Sequence, residues 1–245
     1  MKARDKMKVD IVIPVYNEEA ELERSITKLS SFLSRNFRYG YRIIIADNAS
    51  RDNTLKIAKS LSKKISNVSF IHLGKKGRGR ALKKAWMKSK AGIVSYMDVD
   101  LSTNLEHFIE IVDAIVYHGY DLGVGSRLKK GSEVERSIKR QVLSVGYNVL
   151  LKIFFMHKFT DAQCGFKAIK RQVAQKLIPM TTDQNWFFDT ELLLLAERYN
   201  NRIFEVPVKW IERKKSKVRI LKTILEYLTS IARMRLRFWF GMIHS

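Results

Sequence analysis

Apolar and polar positions follow two alternating periods along the first half of the chain. Residues 9–13 form an apolar run, interrupted by Asp10 and bounded by Pro14, the pattern of a buried strand. Leu22, Ile26, Leu29 and Leu33 then recur at helical spacing within residues 18–33. The exchange repeats. Strands are predicted at 41–46, 68–73, 93–97 and 122–124, with helices at 54–65, from the turn at 74–79 to about residue 90, and at 105–117. Buried strands alternating with helices predict βαβ units on a parallel sheet, hence an α/β fold with right-handed crossovers. In open sheets of this kind ligands collect outside the carboxyl ends of the strands.

The second half reads differently. Residues 139–155 predict a long, mostly apolar helix, 162–169 a strand or loop, 186–199 a helix, and 203–211 an edge-like strand carrying Pro207. A charge-rich break at 214–217 precedes another long helix at 220–243. The plausible boundary lies near Lys215. It divides a domain over 1–215, with an interface helix at 139–156 inside it, from a basic amphipathic helix at 216–245.

Charge changes the picture. Of 245 residues, 46 are Lys or Arg and 24 Asp or Glu, a formal net charge of +22. The 46% hydrophobic content excludes a disordered chain. The single cysteine, Cys164, excludes an internal disulfide framework and suits a reducing compartment. No apolar run approaches the roughly 18–20 residues of a membrane span, and the first residues do not read as a signal peptide. An intracellular protein with polyanionic partners is expected. Nucleic acid is not expected among them, because the aromatics cluster on apolar helix faces and no nucleic-acid-binding signature occurs. The five histidines and Cys164 lack zinc-ligand spacing.

Candidate chemistry sits where strands end. Asp98-Val99-Asp100 follows the fourth strand, and residues i and i+2 of an extended segment point the same way. Two such carboxylates suit a hard divalent cation shared with phosphate oxygens. The plainer reading is a turn with two solvated acids. Pro14-Val15-Tyr16-Asn17-Glu18 and Asp47-Asn48-Ala49-Ser50 end the first two strands. There Asp47 would accept from a nucleobase N–H and Tyr16 pack on a base, or the polar residues would be caps and turns. The basic, Gly-rich stretch from Gly74 to Ala81 opens a helix and is a weak phosphate signal, matching neither a P-loop nor a dinucleotide fingerprint.

Together these segments resemble glycosyltransferase family 2, the nucleotide-sugar-dependent enzymes of the GT-A fold. Asp161-Ala162-Gln163-Cys164-Gly165-Phe166-Lys167, Trp186-Phe187-Phe188-Asp189-Thr190-Glu191-Leu192-Leu193 and Glu205-Val206-Pro207-Val208-Lys209-Trp210 are similar to the polyprenyl-phosphate branch, the dolichyl-phosphate β-glucosyl- and mannosyltransferases. The resemblance implies a GT-A fold with a mostly parallel central sheet flanked by helices, plus membrane-interface helices. It implies an inverting hexosyl transfer from a nucleotide sugar, UDP-glucose before GDP-mannose, to a polyprenyl phosphate, with Mg²⁺ or Mn²⁺. It assigns Pro14, Tyr16, Glu18, Asp47, Asp98, Arg127 and Arg213 to the donor, Asp98 and Asp100 to the metal, and Arg140 and Ser144 to the acceptor phosphate. Asp100, Arg127 and Asp189 are the implied catalytic positions, with Asp189 orienting a sugar hydroxyl or acting as base in relatives with hydroxyl acceptors. Asn48 departs from a usual Asp, and Ser102 from a Gln metal ligand frequent in mannosyl enzymes. Another lipid or glycan acceptor, or a non-catalytic basic binding protein on a degenerate scaffold, is the alternative.

Helical counting supplies the membrane expectation. Arg140, Ser144, Asn148 and Lys152 form one polar stripe on an otherwise apolar helix, which is either core or faces lipid. In the last helix, Leu221, Leu225, Leu228, Leu236, Trp239 and Phe240 lie mainly opposite Lys222, Glu226, Ser230, Arg233 and Arg237. That is the profile of an interfacial helix on an anionic membrane surface, or of a packing helix. A peripheral protein on the cytoplasmic face is expected.

Overall fold

The central strands form where the apolar runs lie, because they are covered on both faces. The computed structural model describes residues 7–212 and 220–241. In chain order the elements are β1 (Lys8–Val15), α1 (Leu22–Asn36), β2 (Gly40–Asn48), α2 (Thr54–Lys64), β3 (Val68–Leu73), α3 (Arg78–Lys88), β4 (Ile93–Met97), α4 (Glu106–Tyr117) and β5 (Leu122–Ser126). There follow β6 (Glu133–Glu135), α5 (Ile138–Phe155), β7 (Phe166–Lys170), α6 (Arg171–Leu177), a 3₁₀ turn (Ile178–Met180), α7 (Phe188–Arg198), β8 (Ile203–Pro207), β9 (Lys209–Ile211) and α8 (Ile220–Trp239).

Seven strands make one sheet in the order β3-β2-β1-β4-β7-β5-β8. All run parallel except β7, which is antiparallel to both β4 and β5. The expected run at 203–211 splits after Pro207: β8 joins the main sheet, while β9 pairs with β6 in a separate two-stranded ribbon. On one face Ile11 and Ile13 of β1 pack with Leu22, Ile26 and Leu29 of α1 and Phe108 and Ile111 of α4. On the other, Val12 and Tyr96 pack with Trp86 of α3, Leu177 of α6 and Phe188 and Leu192 of α7. Each such side chain contributes about 1.5–3 kcal/mol by leaving water, so Ile11→Asp would oppose the whole sheet.

The sequence reading omits α6, whose buried Val173, Ala174 and Leu177 sit among charges. Of the two readings left open for α5, core or exposed, the core one fails: only Asn148 and Leu151 are buried. One other expectation changes: α8 turns only part of its basic side to solvent, with Arg233 exposed but Arg237 drawn inward. Arg237 donates to Glu191 Oε1 at 2.7 Å and to the Met180 carbonyl at 2.7 Å, and Ser230, Ile231 and Met234 are buried. Glu191 is buried and needs a counter-charge, which fixes the helix rotation. Among the described residues no helix is long and apolar enough to cross a membrane.

Candidate functional site

Six parallel strands deliver their carboxyl ends to one edge of the sheet, and β7 starts there. Sequence-distant side chains therefore meet. At the end of β1, Pro14 lies opposite Ala46 and Val15 opposite Asp47. The Lys76 ammonium stands 3.6 Å from the centroid of the Tyr16 ring. Asn17 is left-handed (φ 53°), and its N–H donates to Ser50 Oγ at 3.0 Å. The Glu18 N–H donates to Thr54 Oγ1 at 2.8 Å. The loops after β1 and β2 are thus stapled together, and Asn17 is not the cap of α1, which starts at Leu22.

Asp47 is fully buried. Its Oδ2 lies 2.6 Å from Nδ1 of His72, its partner across β3, and its Oδ1 accepts the Ser50 N–H at 3.3 Å. A nucleobase at Asp47 would share the carboxylate with His72, a residue the sequence reading passed over. Asn48 Oδ1 accepts the Gly77 N–H at 2.7 Å, so this position anchors the Gly-rich turn.

The acidic pair is not arranged by strand alternation. The strand ends at Met97, and a turn closed by Leu101 N–H to the Asp98 carbonyl at 3.1 Å, with Leu101 left-handed (φ 48°), carries both acids. The Asp98 carboxylate lies over Gly165, where no Cβ fits. It accepts from Arg78 Nη1 at 2.6 Å. Asp100 Oδ1 accepts the Ser102 N–H at 3.0 Å. Asp100 also lines a cavity of about 330 Å³ with Glu21, Arg24, Lys28 and Ile211. The donor set suits a hard cation: two carboxylates on one short turn, a glycine that clears space beside one of them, and the buried, unpartnered Ser102 Oγ beside the other. Among the described residues no three His, Cys, Asp or Glu side chains gather to hold a metal. Completing the coordination would fall to phosphate oxygens and water.

Behind this turn lies a buried charge network. Asp189 accepts from the Tyr96 hydroxyl and lies 3.2 Å from Lys167 Nζ and 3.8 Å from Arg78 Nε. Lys167 also donates to the Cys164 carbonyl at 2.6 Å and the Ala162 carbonyl at 3.1 Å. Burial, reinforced by Asp189, holds the Tyr96 hydroxyl protonated well above its ordinary range. Arg78 therefore bridges Asp98 and Asp189. Burial opposes its charge, but the two carboxylates and Tyr96 outweigh burial and raise its pKa. The sequence reading left Arg78 unassigned inside the Gly-rich turn.

Arg127 follows β5 and grips Asp161 in a fork: Nε to Oδ2 at 2.7 Å and Nη2 to Oδ1 at 2.9 Å, with its backbone N–H to Oδ2 at 3.1 Å. Burial pushes Asp161 up, but Arg127 overrides it and holds the carboxyl at about 2. Nearby, Arg136 donates through Nε to Gln141 Oε1 at 2.5 Å, while its Nη2 is buried with no hydrogen-bond partner. Burial first, then the Arg127 charge, lowers Arg136 to about 10. Arg136 was also missed; only its place before α5 hinted at it. Arg140 pairs with Glu212, and Ser144 lies one turn on with its carbonyl accepting from Asn148 Nδ2 at 2.9 Å. Arg213 lies outside the described residues.

From this arginine group an apolar ridge runs outward. Ile138, Val142, Val145, Val149 and Ile153 share one exposed face of α5. Ile138 is 83% exposed and Met156, just past the helix, 81%. Tyr147 of α5 packs on Tyr227 of α8, ring centroids 4.7 Å apart. Leu225, Leu228, Leu236, Trp239 and Phe240 of α8 and its end are exposed as well.

Comparison with known proteins gives this geometry a setting. The profile of glycosyl transferase family 2 matches residues 10–178. The chain is 33% identical over 232 residues to glycosyltransferase AglD of Haloferax volcanii, covering 93% of this chain and 37% of that protein. It is 29% identical over 251 residues to the dolichyl-phosphate beta-glucosyltransferase of Dictyostelium discoideum, covering 97% and 77%. The chain thus spans little more than a third of the haloarchaeal relative. Among solved structures it is similar in fold to Mycobacterium tuberculosis glucosyl-3-phosphoglycerate synthase in complex with Mn²⁺, UDP-glucose and phosphoglyceric acid. That match has a TM-score of 0.65 and 18% identity, and covers 92% of this chain and 79% of the other.

Proposed function

Since this chain belongs to glycosyl transferase family 2, we propose that it moves a hexose from a nucleotide sugar to a polyprenyl phosphate at a membrane surface. The donor is UDP-glucose before GDP-mannose. One observation carries the reading: a carboxylate turn (Asp98, Asp100) and an arginine group (Arg127, Arg136, Arg140) converge on one sheet edge, and an exposed apolar ridge begins there. The name of the Dictyostelium relative supports the acceptor.

The acceptor is a phosphate monoester with a second pKa near 6, so near neutral pH it is largely a dianion and already nucleophilic. No side chain has to take a proton from it. The protein's task is placement and charge. Arg140, Ser144 and the unpaired Nη2 of Arg136 would hold the acceptor oxygens. Arg127, locked by Asp161, would stand between acceptor and donor. Arg213 is assigned to the same phosphate work. Tyr16, Glu18 and Asp47 would hold the nucleotide, with Pro14 shaping the strand end. Bound at Asp98 and Asp100, Mg²⁺ or Mn²⁺ would offset charge developing on the leaving diphosphate. Attack opposite the leaving group inverts the anomeric carbon. Asp189, surrounded by Tyr96, Lys167 and Arg78, is suited to positioning rather than proton abstraction.

The α5 and α8 ridges would enter the headgroup layer and meet the lipid acceptor, placing the protein peripherally on the cytoplasmic face. The test is transfer from UDP-glucose and from GDP-mannose to a short polyprenyl phosphate in vesicles, with and without EDTA. Transfer from UDP-glucose that EDTA abolishes is expected. Failure with both donors, or transfer unaffected by EDTA, refutes the proposal or its metal site respectively.

A further inference from the structure

The carboxylate assigned to a metal is already engaged, by a side chain that the mechanism above leaves unused. Arg78 Nη1 donates to Asp98 Oδ1 at 2.6 Å. The guanidinium lies 5.1 Å from the Tyr96 ring centroid and 4.7 Å from that of Trp186, and its side chain is only 12% exposed. Its Nε is buried with no hydrogen-bond partner, 3.8 Å from Asp189 Oδ2. The backbone that carries it is pinned. The Gly77 N–H is held by Asn48, the Gly79 N–H donates to the Asn185 carbonyl at 3.2 Å, and the Arg80 N–H donates to the Gln184 carbonyl at 3.0 Å. A Cβ at Gly79 would fall 2.7 Å from Phe188 Cβ, so this turn and the start of α7 are closely packed. Any response of Arg78 must therefore be a movement of its side chain and not of its loop.

A divalent cation and a guanidinium compete for the same carboxylate lone pairs, and at such close range their charges also repel. A diphosphate offers Arg78 an alternative partner, since a guanidinium matches phosphate oxygens in a two-pronged fork and the idle Nε supplies a second donor. We propose that Arg78 is a positioning residue that holds Asp98 while no metal is bound and passes to the donor's diphosphate when a cation takes the carboxylate. Cation and nucleotide then bind cooperatively, each strengthening the other by the same factor. The inference rests on the metal site of the proposed function and deepens it.

The test measures Mn²⁺ binding to the full chain by calorimetry and by loss of the free-ion paramagnetic resonance signal, with and without UDP. Removing the competing charge in R78Q should tighten Mn²⁺ binding to the nucleotide-free protein by about tenfold, the worth of a charge-assisted hydrogen bond. It should also weaken UDP binding at saturating Mn²⁺. A merely structural role for Arg78 would not raise metal affinity. Folded R78Q that binds Mn²⁺ no more tightly than wild type overturns the exchange. If neither protein binds Mn²⁺ with or without UDP, the metal site itself falls and this inference with it. The second measurement needs no neutral variant. The Arg78 Nε–H nuclear resonance of the wild-type chain, assigned by its loss in R78K, should shift when Mg²⁺ and UDP are added together, and a resonance that stays in place overturns the proposal.

Discussion

Replacing Asp161 by Asn separates charge from shape beneath the arginine group. The Asp161 carboxylate accepts three N–H donors from Arg127 and the Gln163 N–H at 3.0 Å, and it is fully buried. Asn keeps the volume but turns a donor toward the guanidinium, which stays inside without a counter-ion. Breaking one side of a buried pair costs about 3–5 kcal/mol. For a protein of this size that lowers the melting temperature by roughly 6–20 °C. Proton linkage gives a second estimate. Asp161 titrates near 2 when folded against an ordinary 3.8, which corresponds to about 2 kcal/mol of stability. Because the folded value is depressed, that stability is fully present above the ordinary value and is lost as pH falls from 3.8 toward about 2. Urea unfolding of wild type and D161N at pH 7 and pH 3 reads both effects. The gap between the proteins should be several kcal/mol at pH 7 and narrower at pH 3. A gap under about 1 kcal/mol at pH 7, or one that does not narrow, refutes the assignment of this pair as the rigid base of the site.

Two other outcomes are open to direct measurement. Arg140→Ala should raise the KM for polyprenyl phosphate by about tenfold while moving the nucleotide-sugar KM by less than twofold; an equal donor effect would take Arg140 out of the acceptor site. Changing Leu236, Trp239 and Phe240 together to Ser should cut sedimentation with anionic vesicles at least severalfold, with each exposed substitution moving stability by no more than about 0.5 kcal/mol; unchanged sedimentation would show that the membrane contact lies elsewhere.

The parallel half of the fold was legible because its central strands are buried on both faces, so Ile93–Met97 stands out as an apolar run broken only by Ser95, while the edge strand Val68–Leu73 still reads as mostly apolar despite Ser69 and His72. The antiparallel β7 was not. Its pairing of Met97 with Phe166 and of Leu122 with Ile169 depends on contacts across tens of residues, and nothing local in residues 166–170 states a direction. In the site, the acids were visible by type but not by geometry. A turn closed by Leu101 carries Asp98 and Asp100, where alternation along an extended segment was expected. Arg78 looked like one more basic residue of a Gly-rich turn, since which carboxylate it meets is decided by how α3 packs beside β4. The rotation of α8 was hidden for a similar reason. Amphipathic counting distinguishes two faces but cannot say that a buried Glu191 on another helix draws Arg237 inward.

That inward turn bears on how so basic a chain would use a membrane. Part of its charge is spent on internal partners: Arg237 on Glu191, Arg127 on Asp161, Arg78 on Asp98. The outward faces of α5 and α8 carry many apolar side chains, with Lys139, Lys152, Arg233 and Arg235 exposed among them. Electrostatic attraction alone would favour basic residues outside and would weaken steeply with salt. An apolar ridge with only part of its cations outside adds burial in the headgroup layer, a contact that salt weakens less than the electrostatic one. It also sets a depth. Ile138 opens the ridge two residues before Arg140, so a membrane that buries the ridge brings a lipid phosphate level with the arginine group. The acceptor would then be presented at the height where Arg136, Arg140 and Ser144 would meet it, with none of the described helices crossing the bilayer.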